Sequence, residues 1–207
     1  LQDRADDFDG VFVATPEQQQ ELQQRYPHMT VRVAPDTAVA ATHDHPKAAK
    51  PTVVFVGRFG PDKRPEQALQ MMAQVVQKVP AAQLNFYGYA PDNETLTNLN
   101  NQITKLGLKD NVTLSAYLSR QDLDAVYAAA DVIVQTSSAE SFGMNLVEAM
   151  AYGVPVVTYN VPYGAANLVR SGDNGYVVLD NATKQMAAKV VKLPTDQQDW
   201  QAKSTAA

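Results

Sequence analysis

The fold class of this chain is indicated most clearly by residues 51–88, PTVVFVGRFGPDKRPEQALQMMAQVVQKVPAAQLNFYG. Residues 53–56 are apolar on both faces, which is typical of a strand buried in a parallel sheet. Pro65 predicts the first turn of a helix, because the N–H that proline lacks has no helical partner there. Apolar residues then recur at helical spacing until Pro80 stops the helix, and residues 83–87 predict a second strand. The stretch therefore predicts two strands joined by one helix.

The same alternation of strand and helix continues along the chain. The further elements predicted are a helix from Asn93 ended by Gly107, a strand over 111–118, a helix capped by Ser119 and Asp122, a strand over 132–134, a helix over 143–152, and strands over 155–159 and 176–179. Repeated units with short connections predict a parallel sheet covered by helices on both faces. The fold class is therefore α/β, a doubly wound, Rossmann-like parallel sheet.

Residues 1–45 differ from residues 46–207. A strand over 10–15, a helix over 16–26 and a short strand over 31–33 precede a polar stretch that predicts a linker or exposed loop. The chain starts at Leu1 and stops within a helix-friendly stretch, so we expect a fragment whose C-terminal helix is truncated.

Composition narrows the classes of function. The 207 residues are 45% hydrophobic and 19% charged, the balance of an ordinary soluble domain. The absence of cysteine excludes disulfides, Cys-ligated metals and a thiol nucleophile. The net charge of −5 argues against binding to nucleic acid, and no apolar run reaches the ~18–20 residues of a transmembrane helix. His43 and His45 could chelate a metal but lack a third ligand nearby, so no metal site is expected.

The loop after the first strand of residues 51–88 is the first candidate site. In open parallel sheets, ligands bind outside the carboxyl ends of the strands. This loop contains Gly57, Arg58 and Lys63 just before a helix start, which suits a phosphate or pyrophosphate, although solvated loop charges explain the same pattern. Neither a Walker A motif nor G-x-G-x-x-G is present, and Tyr87 and Gly88 end the next strand with no carboxylate for a ribose. NAD binding is therefore not expected.

The loop after the strand over 132–134 is the second candidate site. Glu140 lies between strand and helix, and the N–H groups of residues 142–145 open that helix without helical partners. Such N–H groups could face a ligand while Glu140 accepts hydrogen bonds from hydroxyls. Glu148, bracketed by apolar residues, either lies exposed on the helix or is half-buried and needs partners.

These residues resemble the C-terminal domain of GT-B glycosyltransferases of retaining family 4. Glu140 and Glu148 match the E-x7-E motif of that family, Gly57-Arg58 and Lys63 match its G-R-x(n)-K element, and residues 153–157 match its G-x-P-V-V strand. The elements stand in the family's order over residues 51–180. A Y-G segment at Tyr163 replaces the usual G-G-x-P-E. Together with residues 9–15 it looks more like the branch that glucosylates poly(glycerol-phosphate) teichoic acid; a related branch transfers N-acetylglucosamine to serine-rich adhesins.

The resemblance implies a role for each site residue. Arg58 and Lys63 would bind the diphosphate of the donor and stabilise the leaving nucleotide without a metal or other cofactor. Glu148 would hold the ribose, and Glu140 would contact the transferred sugar. The remaining donor contacts would come from backbone and apolar groups, namely Gly57, Tyr87, Gly88, Tyr117, Leu118, Phe142, Gly143, Met144 and Asn145.

The resemblance also implies the biology of the chain. Residues 1–45 would be a remnant of the acceptor domain and crossover linker, and residues 46–207 the nucleotide-sugar domain. The donor would be UDP-glucose or UDP-N-acetylglucosamine, and the acceptor a polyol phosphate or protein bound through the missing domain, so the fragment alone would be inactive. We expect a cytoplasmic enzyme without a membrane span, whose full-length form could associate peripherally with a membrane. A GT-B-like sugar-nucleotide epimerase and a non-catalytic nucleotide-binding domain remain as alternatives.

Overall fold

A computed structural model describes residues 7–35, 50–163 and 165–207. The elements in chain order are β1 (Gly10–Val13), α1 (Pro16–Arg25), β2 (Thr30–Val33), β3 (Thr52–Val56), α2 (Pro65–Val75), β4 (Gln83–Tyr87), α3 (Asn93–Lys105), β5 (Val112–Ser115), α4 (Arg120–Ala128), β6 (Val132–Gln135), α5 (Met144–Ala151), β7 (Val156–Tyr159), α6 (Ala165–Leu168), β8 (Gly175–Val178), α7 (Thr183–Thr195) and α8 (Gln197–Ala206).

Six strands form a parallel sheet in the order β5-β4-β3-β6-β7-β8. The chain builds outward from β3 on one side and then returns to β6 on the other. Such a reversal of strand order opens a crevice between the carboxyl ends of the two central strands. The doubly wound α/β fold predicted from the sequence is confirmed.

The sheet is covered on both faces because its central strands are apolar along most of their length. Successive residues of β3 enter opposite cores: Val53 and Phe55 pack with α2 and α7, whereas Val54 packs with α5. All four residues of β6 and of β7 are buried. This double burial explains why these strands read as continuous apolar runs rather than as alternating patterns.

The first elements form a separate pair of strands. β1 and β2 are parallel and pair from Gly10 opposite Thr30 to Val13 opposite Val33, with α1 between them in sequence. Thr15 caps α1 through a reciprocal capping box with Gln18. The side-chain amide of Gln18 also donates to the backbone oxygen of Ser141 at 2.8 Å, which links this unit to the loop before α5.

Two element boundaries predicted from the sequence are wrong. The strand predicted over 111–118 ends at Ser115, because its partner β4 ends at Tyr87 and leaves nothing beyond for the ladder to pair with. Tyr117 and Leu118 therefore lie in the loop before α4. The helix predicted to run to Pro80 ends at Val75 and continues as turns, in which the N–H of Val79 still donates to the backbone oxygen of Val75 at 2.8 Å.

The segment after β8 forms two helices that pack on the rest of the domain. α7 packs on α2, and α8 buries Trp200, which is 1% exposed. The indole Nε1 of Trp200 donates to the backbone oxygen of Asp131 at 2.8 Å, at the start of β6. This segment is therefore part of the core. The predicted linker and the pair His43 and His45 lie outside the described residues.

Candidate functional site

Two glycines allow a close backbone approach at the ends of β3 and β4, next to the crevice between β3 and β6. A Cβ on Gly88 would lie 1.9 Å from the backbone oxygen of Gly57, and Gly88 has a φ of +155°. The N–H of Gly57 donates to the backbone oxygen of Tyr87 at 2.9 Å, so β3 and β4 stay together past their last residues. Gly57 itself has a φ of +149° and open space around it. The chain can therefore turn away from the sheet and leave room above it.

A recess of about 270 Å³ lies in this crevice. It is lined by Val56, Gly57, Lys63 and residues 140–145. The structure thus brings together most of both candidate loops, which are about 80 residues apart in the sequence. The signal that predicted this meeting was the position of each loop at the carboxyl end of a strand.

Glu140 is the most heavily hydrogen-bonded side chain of the recess. Lys63 Nζ lies 2.6 Å from Glu140 Oε2, with the Lys63 side chain 24% exposed and that of Glu140 11% exposed. Gln135 Nε2 and Ser137 Oγ also donate to Oε2, at 3.1 and 3.4 Å. The other oxygen, Oε1, accepts from the N–H of Ser141 at 3.2 Å. Since a carboxylate oxygen can accept more than one hydrogen bond, Oε1 retains capacity for a ligand hydroxyl.

The N-terminus of α5 forms the opposite wall. Gly143 precedes the helix with a φ of +96° and has no side chain to cap the first N–H groups. Asn145 is held in place because its amide donates to the backbone oxygen of Val56 at 3.0 Å and lies 3.3 Å from Gln135 Nε2. A helix start with no side-chain cap presents N–H donors and partial positive charge. Together with Lys63 it suits an anion with several oxygens.

Glu148 lies one helical turn further along α5 and faces α4. Arg120 donates to Glu148 Oε1 at 2.6 Å, and the Tyr127 hydroxyl donates to Oε2 at 3.1 Å. The Glu148 side chain is 15% exposed, as expected for a half-buried carboxylate that needs partners. Burial, reinforced by the charge of Glu148, raises the pKa of Tyr127, and the same charge raises the pKa of Arg120.

Several predicted site residues do not line the recess. Arg58 is directed to Asp62, at 2.9 Å, with nearly half of its side chain exposed. Tyr87 and Gly88 form the end of β4 beside Gly57, and Tyr117 is 74% exposed in the loop before α4. Six residues therefore remain predicted ligand contacts around the recess rather than within it, namely Arg58, Glu148, Tyr87, Gly88, Tyr117 and Leu118.

Two residues of the site were missed by sequence analysis. Gln135 ends β6 and is 3% exposed, and it orients both Glu140 and Asn145. A polar residue that ends a fully apolar strand was the available signal. Arg64 is only one of several charged residues in its loop by sequence, yet its guanidinium contacts two other loops, those after β6 and β8. Nothing in its sequence position distinguishes it from Lys63.

The part of the chain that the structure describes contains no group of three or more His, Cys, Asp or Glu residues able to hold a metal ion. Among the same residues, no helix combines the length and apolar character that crossing a bilayer requires.

Residues 42–206 match the family described as glycosyl transferases group 1. A poly(glycerol-phosphate) alpha-glucosyltransferase of Bacillus subtilis (strain 168) is 31% identical over 148 residues, which are 72% of this chain and 21% of that protein. The GtfA subunit of a UDP-N-acetylglucosamine–peptide N-acetylglucosaminyltransferase of Streptococcus pneumoniae is 24% identical over 91% of this chain and 39% of its own length. The chain thus spans between a fifth and two fifths of these curated relatives.

Solved structures share the fold. TarM of S. aureus, in complex with Fondaparinux, alpha-GlcNAc-glycerol and UDP, matches with a TM-score of 0.89 and 21% identity over 98% of this chain and 40% of that one. HepE of Anabaena, in complex with UDP and glucose, matches with a TM-score of 0.83 and 22% identity over 96% of this chain and 57% of that one. At this level of identity the likeness establishes a GT-B-like architecture.

Proposed function

The chain belongs to the glycosyl transferases group 1 family, and from this premise we propose that it forms the donor-binding half of a retaining hexosyltransferase of family 4 type. Its donor would be a UDP-sugar, UDP-glucose or UDP-N-acetylglucosamine. The observation that carries the proposal is the contact between Lys63 and Glu140 beside the uncapped start of α5. A cation, a carboxylate that can accept a hydroxyl, and several N–H donors line the same recess there.

Lys63 is the residue best placed for the diphosphate. Its ammonium group already reaches the recess, and a diphosphate would compete with Glu140 for it. When the bond between the anomeric carbon and the diphosphate oxygen breaks, the electron pair stays on the oxygen and negative charge grows there. Lys63 and the N–H groups at the start of α5 would stabilise that charge without a metal ion. Arg58 would join them by leaving Asp62, which is cheap because both side chains are about half exposed.

Glu140 and Glu148 would orient the rest of the donor. Glu140 Oε1, which has one protein donor, would accept a hydroxyl of the transferred sugar. Glu148 would accept the ribose hydroxyls in place of Arg120, whose side chain is 56% exposed and can return to solvent. Tyr127 would remain bonded to the other carboxylate oxygen and keep Glu148 aligned. The base would lie toward Tyr87, Gly88, Tyr117 and Leu118.

The acceptor is proposed for the full-length protein. Two relatives are named for transfer to poly(glycerol phosphate) and to peptide, so we propose a polyol phosphate or a protein as acceptor. Catalysis in the cleft between two domains would leave residues 1–207 able to bind donor but slow to transfer sugar. We also propose that residues 1–45 are a remnant of the acceptor domain. The full-length enzyme would be cytoplasmic and could associate peripherally with a membrane.

Titration calorimetry of the 207-residue chain tests the proposal with UDP, GDP, ADP and NADH. We expect UDP to bind most tightly and Glu148→Ala to weaken it by roughly 10- to 100-fold, the value of a hydrogen bond to a charged group. Glu94→Ala is the matched control, because Glu94 is an exposed carboxylate on α3. Equal UDP affinity in Glu148→Ala and the control would overturn the ribose assignment, and preference for NADH would favour a dinucleotide-binding domain.

The reaction is tested on the full-length protein. Incubation with UDP-N-acetylglucosamine and a glycerol-phosphate acceptor should give an alpha-linked product by NMR, since the donor is alpha-linked and the proposed reaction retains configuration. An inverted product would contradict retention, and conversion to a different UDP-sugar without acceptor would support the epimerase alternative.

A further inference from the structure

Two neighbouring cations of one loop have different environments. Lys63 points into the recess, whereas Arg64 turns away from it and is buried to 11% exposure of its side chain. Arg64 has a φ of 49° and a ψ of 53°, the left-handed region that residues other than glycine seldom adopt. A conformation of this kind persists only when the surrounding contacts enforce it. The contacts of the guanidinium supply that enforcement.

The guanidinium of Arg64 joins the ends of three strands. Its Nε donates to the backbone oxygen of Thr136 and its Nη2 to that of Ser137, both at 2.6 Å, just after β6. Nη2 and Nη1 also contact Asp180 and Asn181, at 2.6 and 2.9 Å, just after β8. The planar fork of arginine can serve such divergent acceptors at once, which the single ammonium of a lysine cannot.

The loop after β6 returns these contacts. The hydroxyl of Thr136 lies 2.8 Å from the backbone oxygen of Lys63 and 3.0 Å from that of Arg64, and the N–H of Ser138 donates to the backbone oxygen of Asp62 at 2.8 Å. Thr136 is fully buried. The two loops are therefore joined in both directions, one residue from Lys63 and two residues from Glu140.

We propose that Arg64 is a positioning residue that sets the separation of Lys63 and Glu140 by clamping the loop after β3 to the loop after β6. The inference rests on the proposed function, because the measurable consequence is recognition of a diphosphate. Arg64 does not line the recess. Loosening the clamp lets the Glu140 loop move relative to Lys63, so the recess loses its fit for the second phosphate while the nucleoside contacts on α5 and β4 remain.

Calorimetry with UDP and uridine monophosphate tests this proposal on the 207-residue chain. For Arg64→Lys we expect UDP affinity to fall roughly tenfold, the value of about one hydrogen bond, while affinity for the monophosphate changes less than about twofold. Arg170→Lys is the matched control, since Arg170 forms a local pair with Asp173 on the surface, with two thirds of its side chain exposed. The control should leave both affinities unchanged.

A second variant, Thr136→Val, removes the hydroxyl that binds the backbone oxygens of Lys63 and Arg64, with little change in shape. It should lower the ratio of UDP affinity to uridine monophosphate affinity even if Arg64→Lys folds poorly. The backbone amide resonance of Ser141, whose N–H binds Glu140, should shift in both variants. Equal loss of both affinities, or loss of thermal stability with the ratio unchanged, would overturn the positioning role. A wild-type chain that binds UDP and the monophosphate equally would instead overturn the proposed function.

Discussion

Replacing Lys63 and replacing Glu140, one at a time, should change the affinity for UDP in opposite directions. At 2.6 Å and an effective dielectric constant of about 20, their gross attraction is about 6 kcal/mol, most of which is offset by lost hydration. Glu140 retains three other donors when Lys63 is removed. We therefore expect Lys63→Ala to lower the free energy of unfolding by only about 1–2 kcal/mol, less than a fully buried pair would lose.

The consequence for binding is larger. Lys63→Ala removes a charge-assisted contact to the diphosphate, worth about 1.5–3 kcal/mol, so the UDP dissociation constant should rise roughly 10- to 100-fold. Glu140→Gln leaves Lys63 in place and removes its competitor, so UDP should bind at least as tightly as to wild type. The same variant should bind UDP-glucose less tightly than wild type does, because the sugar loses its charged hydroxyl acceptor.

Calorimetry with UDP and UDP-glucose measures both effects, and thermal unfolding measures the change in stability. Lys184→Ala is the control for charge, because Lys184 is exposed at the start of α7. If Lys63→Ala binds UDP as tightly as Lys184→Ala, Lys63 does not bind the diphosphate. If Glu140→Gln weakens UDP as much as Lys63→Ala does, the two residues do not have separate roles.

Three further predictions concern the scaffold. Trp200→Ala should lower the free energy of unfolding by about 3–5 kcal/mol in denaturant titrations, because it empties a buried site and removes the hydrogen bond to the backbone oxygen of Asp131. An effect as small as that of Leu179→Ala, at an exposed site, would contradict the packing of α8. Burial alone would raise the pKa of Asp199, but hydrogen bonds from Lys203, Tyr176 and Lys192 lower it to about 2. Its contribution to the free energy of unfolding is therefore complete above the unfolded pKa of 3.8 and is lost as the pH falls toward 2. Asp199→Asn should therefore lower the free energy of unfolding by about 1–2 kcal/mol at neutral pH, after allowance for solvent screening. This difference from wild type should become smaller below about pH 4, and a difference independent of pH would refute the prediction. Gly88→Ala should destabilise the protein by about 1–3 kcal/mol more than Gly57→Ala in thermal unfolding, since both have positive φ but only Gly88 meets backbone at 1.9 Å; equal losses would argue against the close approach.

The sheet was predictable because its signals are local and repeated. Residues 53–56 are apolar on both faces, and such runs have few alternatives in a chain that alternates them with amphipathic helices. The boundary at Ser115 was not predictable, since it depends on where the neighbouring β4 ends. The packing of Trp200 depends on a partner at Asp131, about 70 residues earlier, which no periodicity reveals.

The site was predictable in part. The meeting of Lys63 with Glu140 follows from parallel topology and from the resemblance carried by the E-x7-E spacing. The contact of Arg120 with Glu148 and the clamp made by Arg64 depend on side-chain directions in three dimensions. Lys63 and Arg64 look alike in sequence, but the left-handed backbone at Arg64 and the contacts of its guanidinium give them different environments.

A nucleoside diphosphate should bind at the crevice between β3 and β6. The most direct measurement is a titration of the isotope-labelled chain with UDP, followed through its backbone amide resonances. We expect the largest shifts at Gly143, Met144 and Asn145, with smaller ones at Gly57. Shifts concentrated instead at the separate hollow of about 450 Å³ lined by Phe8 and Met29, with those of α5 unchanged, would contradict it.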